Sequence, residues 1–274
     1  MTLEQAQQLI VKRAKEVVSQ LINRRGHDRP PFTPQEYSPL VGISKIEKAD
    51  LGDVGAVLLR FYDKTVVRTN KNDSRLRQNF SFAHEIAHIL YSELKLEQYT
   101  NSIEYRFPNV TDQERAKERD KERLCNIAAT ELLMPEEVFA RYLTRAGLSI
   151  DSVKTMARLF EVSFQAAAIR IAEVSMEPCI MLLWRMNQRG KSRRLTLNWR
   201  VVPGTKPKAR NNFMPVHNDC PSSVYEAFKS ETTAKSYKLF KLDREIKRLP
   251  LESKGFGVED NRYVISFAYP SRAS

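Results

Sequence analysis

No stretch of the chain approaches the roughly 20 consecutive apolar residues that cross a bilayer. Its first residues, MTLEQAQQLI, lack the basic start and apolar core of a signal peptide. These absences argue against a membrane protein and make the cytoplasm the expected compartment. Cysteine is scarce: Cys125, Cys179 and Cys220 are widely spaced, odd in number and in no CxxC pair, which excludes a disulfide framework and a cysteine-based zinc site. Acidic residues are missing from Pro178 to Asn218. That same stretch holds Arg185, Arg189, Lys191, Arg193, Arg194, Arg200, Lys206, Lys208 and Arg210, and so carries most of the net charge of +12. A patch of this kind favours an anionic partner, either nucleic acid through residues 185–210 or an acidic protein face. No aromatic residues are placed there to stack bases, so a merely solvated basic face stands beside that reading.

What is present is a globular composition. At 274 residues, 42% hydrophobic and 28% charged, the chain is long enough to bury a core and to form two domains. Leu3, Ala6, Ile10, Ala14, Val17 and Leu21 recur at three- and four-residue steps, which predicts a packing helix over residues 3–22 with Thr2 and Gln5 as its capping box. Gly26 and Pro30, Pro31, Pro34 and Pro39 then break the helix into a structured loop. The alternating, β-rich segment from Gly55 to Thr69 predicts a hairpin turning at YDK.

The segment 79–90, NFSFAHEIAHIL, holds two of the four histidines. On a helix each residue advances about 100° and 1.5 Å, so His84 and His88 lie on one face, one turn apart. Imidazole is a good borderline ligand, and two such nitrogens fill half of a tetrahedral zinc site. Glu85, displaced toward the edge of that face, is placed to act on the attacking water as general base rather than to bind metal. Phe82, Ile86 and Ile89 fall on the opposite face, where packing would fix the helix. Two satisfied core histidines are the bland alternative, because HExxH also arises by chance.

A third ligand separates these alternatives. Residues 112–133 read as a second long helix, with Glu114, Glu118, Glu122 and Glu131 as its candidate carboxylates. Upstream of Arg123 this helix is charged all round, whereas Leu124, Ile127, Ala128, Leu132 and Leu133 form an apolar face. Glu122 stands at the transition, the best place from which to meet the histidine pair and leave one position open for water.

RQNFSFAHEIAHIL, followed by ERLCNIAATELLMPEEVF, resembles the ImmA/IrrE family of bacterial zinc metallopeptidases over roughly residues 1–175. The resemblance implies a zinc ion held by His84, His88 and Glu122, and Glu85 as catalytic base. It also implies a substrate class: helix-turn-helix transcriptional repressors, whose cleavage relieves repression in a stress response. Ala87 stands where the family often has Gly, and Cys125 where Ala is common; neither is a ligand.

The expected fold class is α+β, with a mainly helical zincin-like metallopeptidase domain over residues 1–148 that includes a small sheet. Residues 149–176 form a helix-turn-helix-like segment, in which Met156, Ala157, Phe160, Val162, Ala166 and Ile169 are the expected core. Its turn, EVS, lacks Gly, and the second helix opens on Phe164, Gln165 and alanines, a poor surface for base reading. Residues 177–274 are expected to form a smaller α+β domain with a hairpin of CIMLLWRM and RLTLNWRVV, a helix in PSSVYEAFKS and a last strand in RYVISFAYP. Through the resemblance this domain is GAF-like, sensory or substrate-recognising. His217, Asp219 and Cys220 form a second, weaker cluster of metal-ligand types. The function expected is a zinc-dependent regulatory endopeptidase acting on a cytosolic protein. The alternative is a DNA-binding regulator using residues 149–210, and a zinc of purely structural role is a third reading.

Overall fold

A computed structural model of the chain describes residues 1–96, 112–175, 179–189, 192–201, 213–217, 219–230, 232–242, 245–257 and 262–269. The chain divides into two compact units: residues 1–138 with 158–163, and residues 139–157 with 164–274. No helix among the described residues is long and apolar enough to cross a membrane.

The first unit opens with α1 (Leu3–Arg25), whose predicted stripe is its buried face: Ala6, Ile10, Ala14, Val17 and Leu21 are all in the core. Thr2 and Gln5 exchange the bonds of a capping box, and Gly26 closes the helix in the left-handed region with φ 71°. The proline-rich loop contains a single helical turn, α2 (Pro34–Tyr37), begun by Pro34 at a position where a missing N–H costs nothing. Three strands follow: β1 (Lys45–Ala49), β2 (Ala56–Arg60) and β3 (Thr65–Asn70). The hairpin of β2 and β3 is antiparallel, and β1 adds to β3 in parallel, giving the order β1-β3-β2. Sequence reading did not anticipate β1, because KIEKA is charged, largely exposed and has no apolar alternation.

Two long helices complete this unit. α3 (Arg75–Glu93) is capped by Ser74, whose side chain accepts the Arg77 N–H, and buries Phe82, Ile86 and Ile89 as expected. α4 (Asp112–Leu133) packs against both α3 and α1, with Leu124, Ala128, Leu132 and Leu133 in the core. Burying a side chain the size of Leu contributes roughly 1.5–3 kcal/mol, so these contacts fix α3 and α4 relative to each other.

The second unit starts at α5 (Glu136–Ala146), most of which lies in it, and continues with α6 (Ile150–Leu159) and α7 (Phe164–Val174). Met156 and Ala157 are buried as the helix-turn-helix pattern predicts, and Val153 is buried with them. Along α7 the buried positions are Ala167, Ala168, Arg170, Ile171 and Ala172, beginning one residue past the expected Ala166 and Ile169, which are only partly buried. Six strands form one antiparallel sheet: β4 (Ile180–Arg189), β5 (Ser192–Val201), β6 (Phe213–Pro215), β7 (Ala234–Leu242), β8 (Glu245–Phe256) and β9 (Tyr263–Ala268), in the order β5-β4-β9-β8-β7-β6. α8 (Ser222–Lys229) lies on this sheet. Trp184 is fully buried in the core and its indole N–H donates to Ser266 Oγ at 3.0 Å. The charged β7 and β8 had no clean alternation to reveal them.

Candidate metal centre

α3 presents His84 and His88 on one face, with ring centroids 4.7 Å apart and planes at 80°. α4 brings Glu122 to them across the helix pair. His84 Nε2 is 3.1 Å from Glu122 Oε2, His88 Nε2 is 3.5 Å from Glu122 Oε1, and the two Nε2 atoms are 3.1 Å apart. One nitrogen from each histidine and one carboxylate oxygen thus lie within 4.8 Å of one another. Two imidazoles and a carboxylate with one position left open are a donor set suited to a divalent transition metal.

The protonation states fit that use. Burial, reinforced by His84, pulls the His88 pKa down to about 4, so this imidazole is neutral and has a lone pair to give. A hydrogen bond with His84 holds Glu122 below its ordinary value against the opposing effect of burial, which keeps it a carboxylate. Burial pushes Glu85 up to about 7, opposed by His84 and supported by the negative charge of Glu122. A carboxyl group poised near neutrality is the kind that takes and returns a proton.

The other sequence candidates go elsewhere. Glu118 is exposed and pairs with Lys121 at 3.6 Å, while Glu131 is buried and accepts the Glu136 N–H at 3.0 Å, where α5 begins. The side chain of Glu114 lies outside the described residues. Tyr91, one turn past His88, is buried and donates to Leu96 O at 3.0 Å, so its hydroxyl is turned away from the histidines' contact with Glu122. Tyr99 lies outside the described residues. In the second unit Asp219 accepts from the buried Lys238 Nζ at 2.8 Å, and among the described residues His84, His88 and Glu122 are the group with metal-ligand geometry. Phe164, at the start of α7, packs against Phe256 with centroids 4.0 Å apart and planes at 34°, and Arg170 is buried beside Glu173, so neither side chain stands free as a reader of bases. Of the basic stretch, Lys191, Lys206, Lys208 and Arg210 lie outside the described residues.

Sequence reasoning missed the neighbours of the histidines. Asn126 Oδ1 is 3.1 Å from His84 Nδ1, and Cys125 Sγ is 3.5 Å from His88 Nδ1. Their spacing from Glu122, three and four residues, was the available signal. In the small sheet the outer strands β1 and β2 each pair with β3 on one side only. Gly55 with Asn70 and Phe61 with Lys64 are hydrogen-bonded positions, so the intervening peptide groups of Ala56, Leu58 and Arg60 face the free edge. The Leu58 N–H is accordingly turned to the Glu85 carboxylate, where it favours the charged form.

A group of two histidines and a carboxylate on a helix pair, able to hold a metal ion, is what this fold and site define. Residues 44–172 match the model of the IrrE N-terminal-like domain, peptidase family M78. The chain is 27% identical over 218 residues to the radiation response metalloprotease IrrE of Deinococcus deserti, covering 76% of this chain and 73% of that protein. It is 32% identical over 118 residues to the radiation response metalloprotease IrrE of Deinococcus radiodurans, covering 43% of this chain and 34% of that one. A solved structure of a Mycobacterium tuberculosis transcriptional regulator shares the fold, with a TM-score of 0.59 at 14% identity over 98% of this chain and 81% of that one. The chain is therefore similar to IrrE-type metalloproteases, and its match to their N-terminal-like domain contains His84, His88 and Glu122.

Proposed function

We propose that the chain is a zinc-dependent regulatory endopeptidase in which His84, His88 and Glu122 hold the metal and Glu85 moves the proton. The observation that carries this reading is the convergence of three ligand atoms within 4.8 Å beside a carboxyl group with a pKa of about 7. When bound, the zinc ion supplies Lewis acidity to the scissile carbonyl and to the attacking water. Glu85 takes a proton from that water and returns it to the leaving amine. The free edge of β2 offers the outward peptide groups of Ala56 and Arg60 to an extended substrate, which supports docking by strand addition in a zincin-like manner.

The substrate we propose is a helix-turn-helix transcriptional repressor. Similarity to radiation response metalloproteases supports a regulatory rather than digestive role. For the second unit we propose a sensory, GAF-like role, supported by its single antiparallel sheet with α8 laid on one face.

Elemental analysis of the purified wild type, His84→Ala and Glu122→Ala proteins tests the centre without knowledge of the substrate. About one zinc per chain in the wild type, as a single four-coordinate site requires, with sharp loss in both variants, is the expected result. A folded wild type that takes up no zinc on reconstitution overturns it.

A further inference from the structure

A metal centre needs more than three ligands in reach. Each imidazole has to present an unprotonated nitrogen in a fixed direction, and the atom that bonds its other nitrogen decides whether it does. The second nitrogens of both histidines are engaged here, and by the same helix. His84 Nδ1 is 3.1 Å from Asn126 Oδ1, and His88 Nδ1 is 3.5 Å from Cys125 Sγ. The Asn carbonyl oxygen only accepts, so Nδ1 is the His84 nitrogen that keeps its proton, and Nε2, which contacts Glu122, is the one free to give its proton up to make way for a metal. The Cys125 sulfur is placed to accept weakly from the Nδ1–H of His88.

We propose that Asn126 and Cys125 are positioning residues: through contacts to Nδ1 of His84 and of His88 they hold both imidazoles with Nε2 aimed at Glu122. Positions 122, 125 and 126 span a single turn of α4, so one ligand and both outer partners belong to one rigid segment. α4 therefore does two things at once, closing the site with a carboxylate and orienting the ligands that α3 contributes. This inference rests on the metal reading above.

The test is titration of the metal-free full-length protein with Zn(II) against a chromogenic chelator, together with the visible absorption of the Co(II)-loaded form. Asn126 is exposed, so its substitution leaves the core intact. Asn126→Leu removes the acceptor and is expected to weaken zinc binding roughly 10–100-fold, the range typical of outer-sphere losses. Asn126→Asp, which only accepts, is expected to restore wild-type affinity or better and the wild-type Co(II) spectrum. A purely structural role for Asn126 would not give that rescue. Cys125→Ala is expected to weaken binding less, and Cys125→Ser to recover it, with unfolding of the metal-free variants monitored alongside. Asn126→Leu protein that binds zinc as tightly as wild type overturns the proposal. So does an Asn126→Asp protein as weak as Asn126→Leu. A wild type that binds no zinc at all instead defeats the metal reading on which the proposal rests.

Discussion

His84 Nε2 and Glu122 Oε2 are separated by 38 residues of chain and by 3.1 Å in space. The histidines alone can be placed by a helical repeat, but the carboxylate reaches them only because α4 is packed on α3. The site is therefore a product of tertiary packing, and its charge matters as much as its shape. Glu122→Gln preserves size and removes the charge. Its zinc affinity is expected to fall by more than the roughly 10–100-fold of an outer-sphere change, measured by chelator competition. A smaller loss would demote Glu122 from ligand to neighbour.

Glu85→Gln separates binding from chemistry. The variant is expected to keep its zinc and lose hydrolysis, because the amide takes no proton from water. It also has a consequence for folding. The folded pKa of Glu85 is raised from 4.5 to about 7 by burial, so between these values the folded chain holds a proton that the unfolded chain has lost. Stability then falls as pH rises through that window. In the metal-free protein, Glu85→Gln is expected to match wild type near pH 4 and to exceed it by roughly 1–3 kcal/mol above pH 7. Chemical denaturation at the two pH values checks this, and equal differences at both would refute it.

Much of this unit was legible in the sequence for a definite reason. The apolar stripe of α1, the opposed faces of α3 and the transition at Glu122 are all periodic signals that one helix can satisfy by itself. Asn126 and Cys125 carry only the weak signal of their spacing from Glu122, since an amide or a thiol acquires meaning from the imidazole that another helix sets against it. The strand β1 was hidden because its pairing is parallel and its residues largely exposed, leaving no alternation to read. The one-residue shift in α7 has a similar cause: Ala166, Ala167 and Ala168 are consecutive, and periodicity cannot choose among identical side chains.

Gly55, just before the edge strand, is required by space rather than by backbone angle. A Cβ there would stand 2.4 Å from Ser81 Oγ and 3.2 Å from Ser81 Cβ, on the helix that carries the histidines. Gly55→Ala is expected to lower the melting temperature. Adding Ser81→Ala removes the closer atom and should recover part of the loss, a coupling of roughly 0.5–3 kcal/mol in a double-mutant cycle. Additive losses would show that the two positions do not meet.

Glu36 joins the end of α1 to the proline-rich loop. Burial raises its pKa, but hydrogen bonds from Arg25 and Thr33 outweigh that effect and hold it below the ordinary carboxylate range. A depressed folded pKa means stability that is present above the unfolded value and lost as pH falls through the folded one. Glu36→Gln should therefore be less stable than wild type at neutral pH, by about 1 kcal/mol once the exposure of Glu36 is allowed for. The difference should close in acid. A gap that persists unchanged at pH 2–3 would show that charge is not its source.

Tyr37 ties the same loop to the far end of α4. It is fully buried, and its hydroxyl donates to Leu132 O at 2.7 Å, one of the last carbonyls of that helix and so without an intrahelical partner. Burial raises the Tyr37 pKa well above 10, which keeps the donor protonated at every working pH. Tyr37→Phe preserves the ring packing and strands the carbonyl, at an expected cost of roughly 1–3 kcal/mol. The denaturant midpoint should fall with its slope unchanged, since the surface exposed on unfolding is the same. Zinc affinity should stay as it is, because Glu122 lies well up the helix from the lost bond. A variant with an unaltered midpoint would show that Leu132 finds another donor, and one that loses zinc would show that the end of α4 sets the position of its middle.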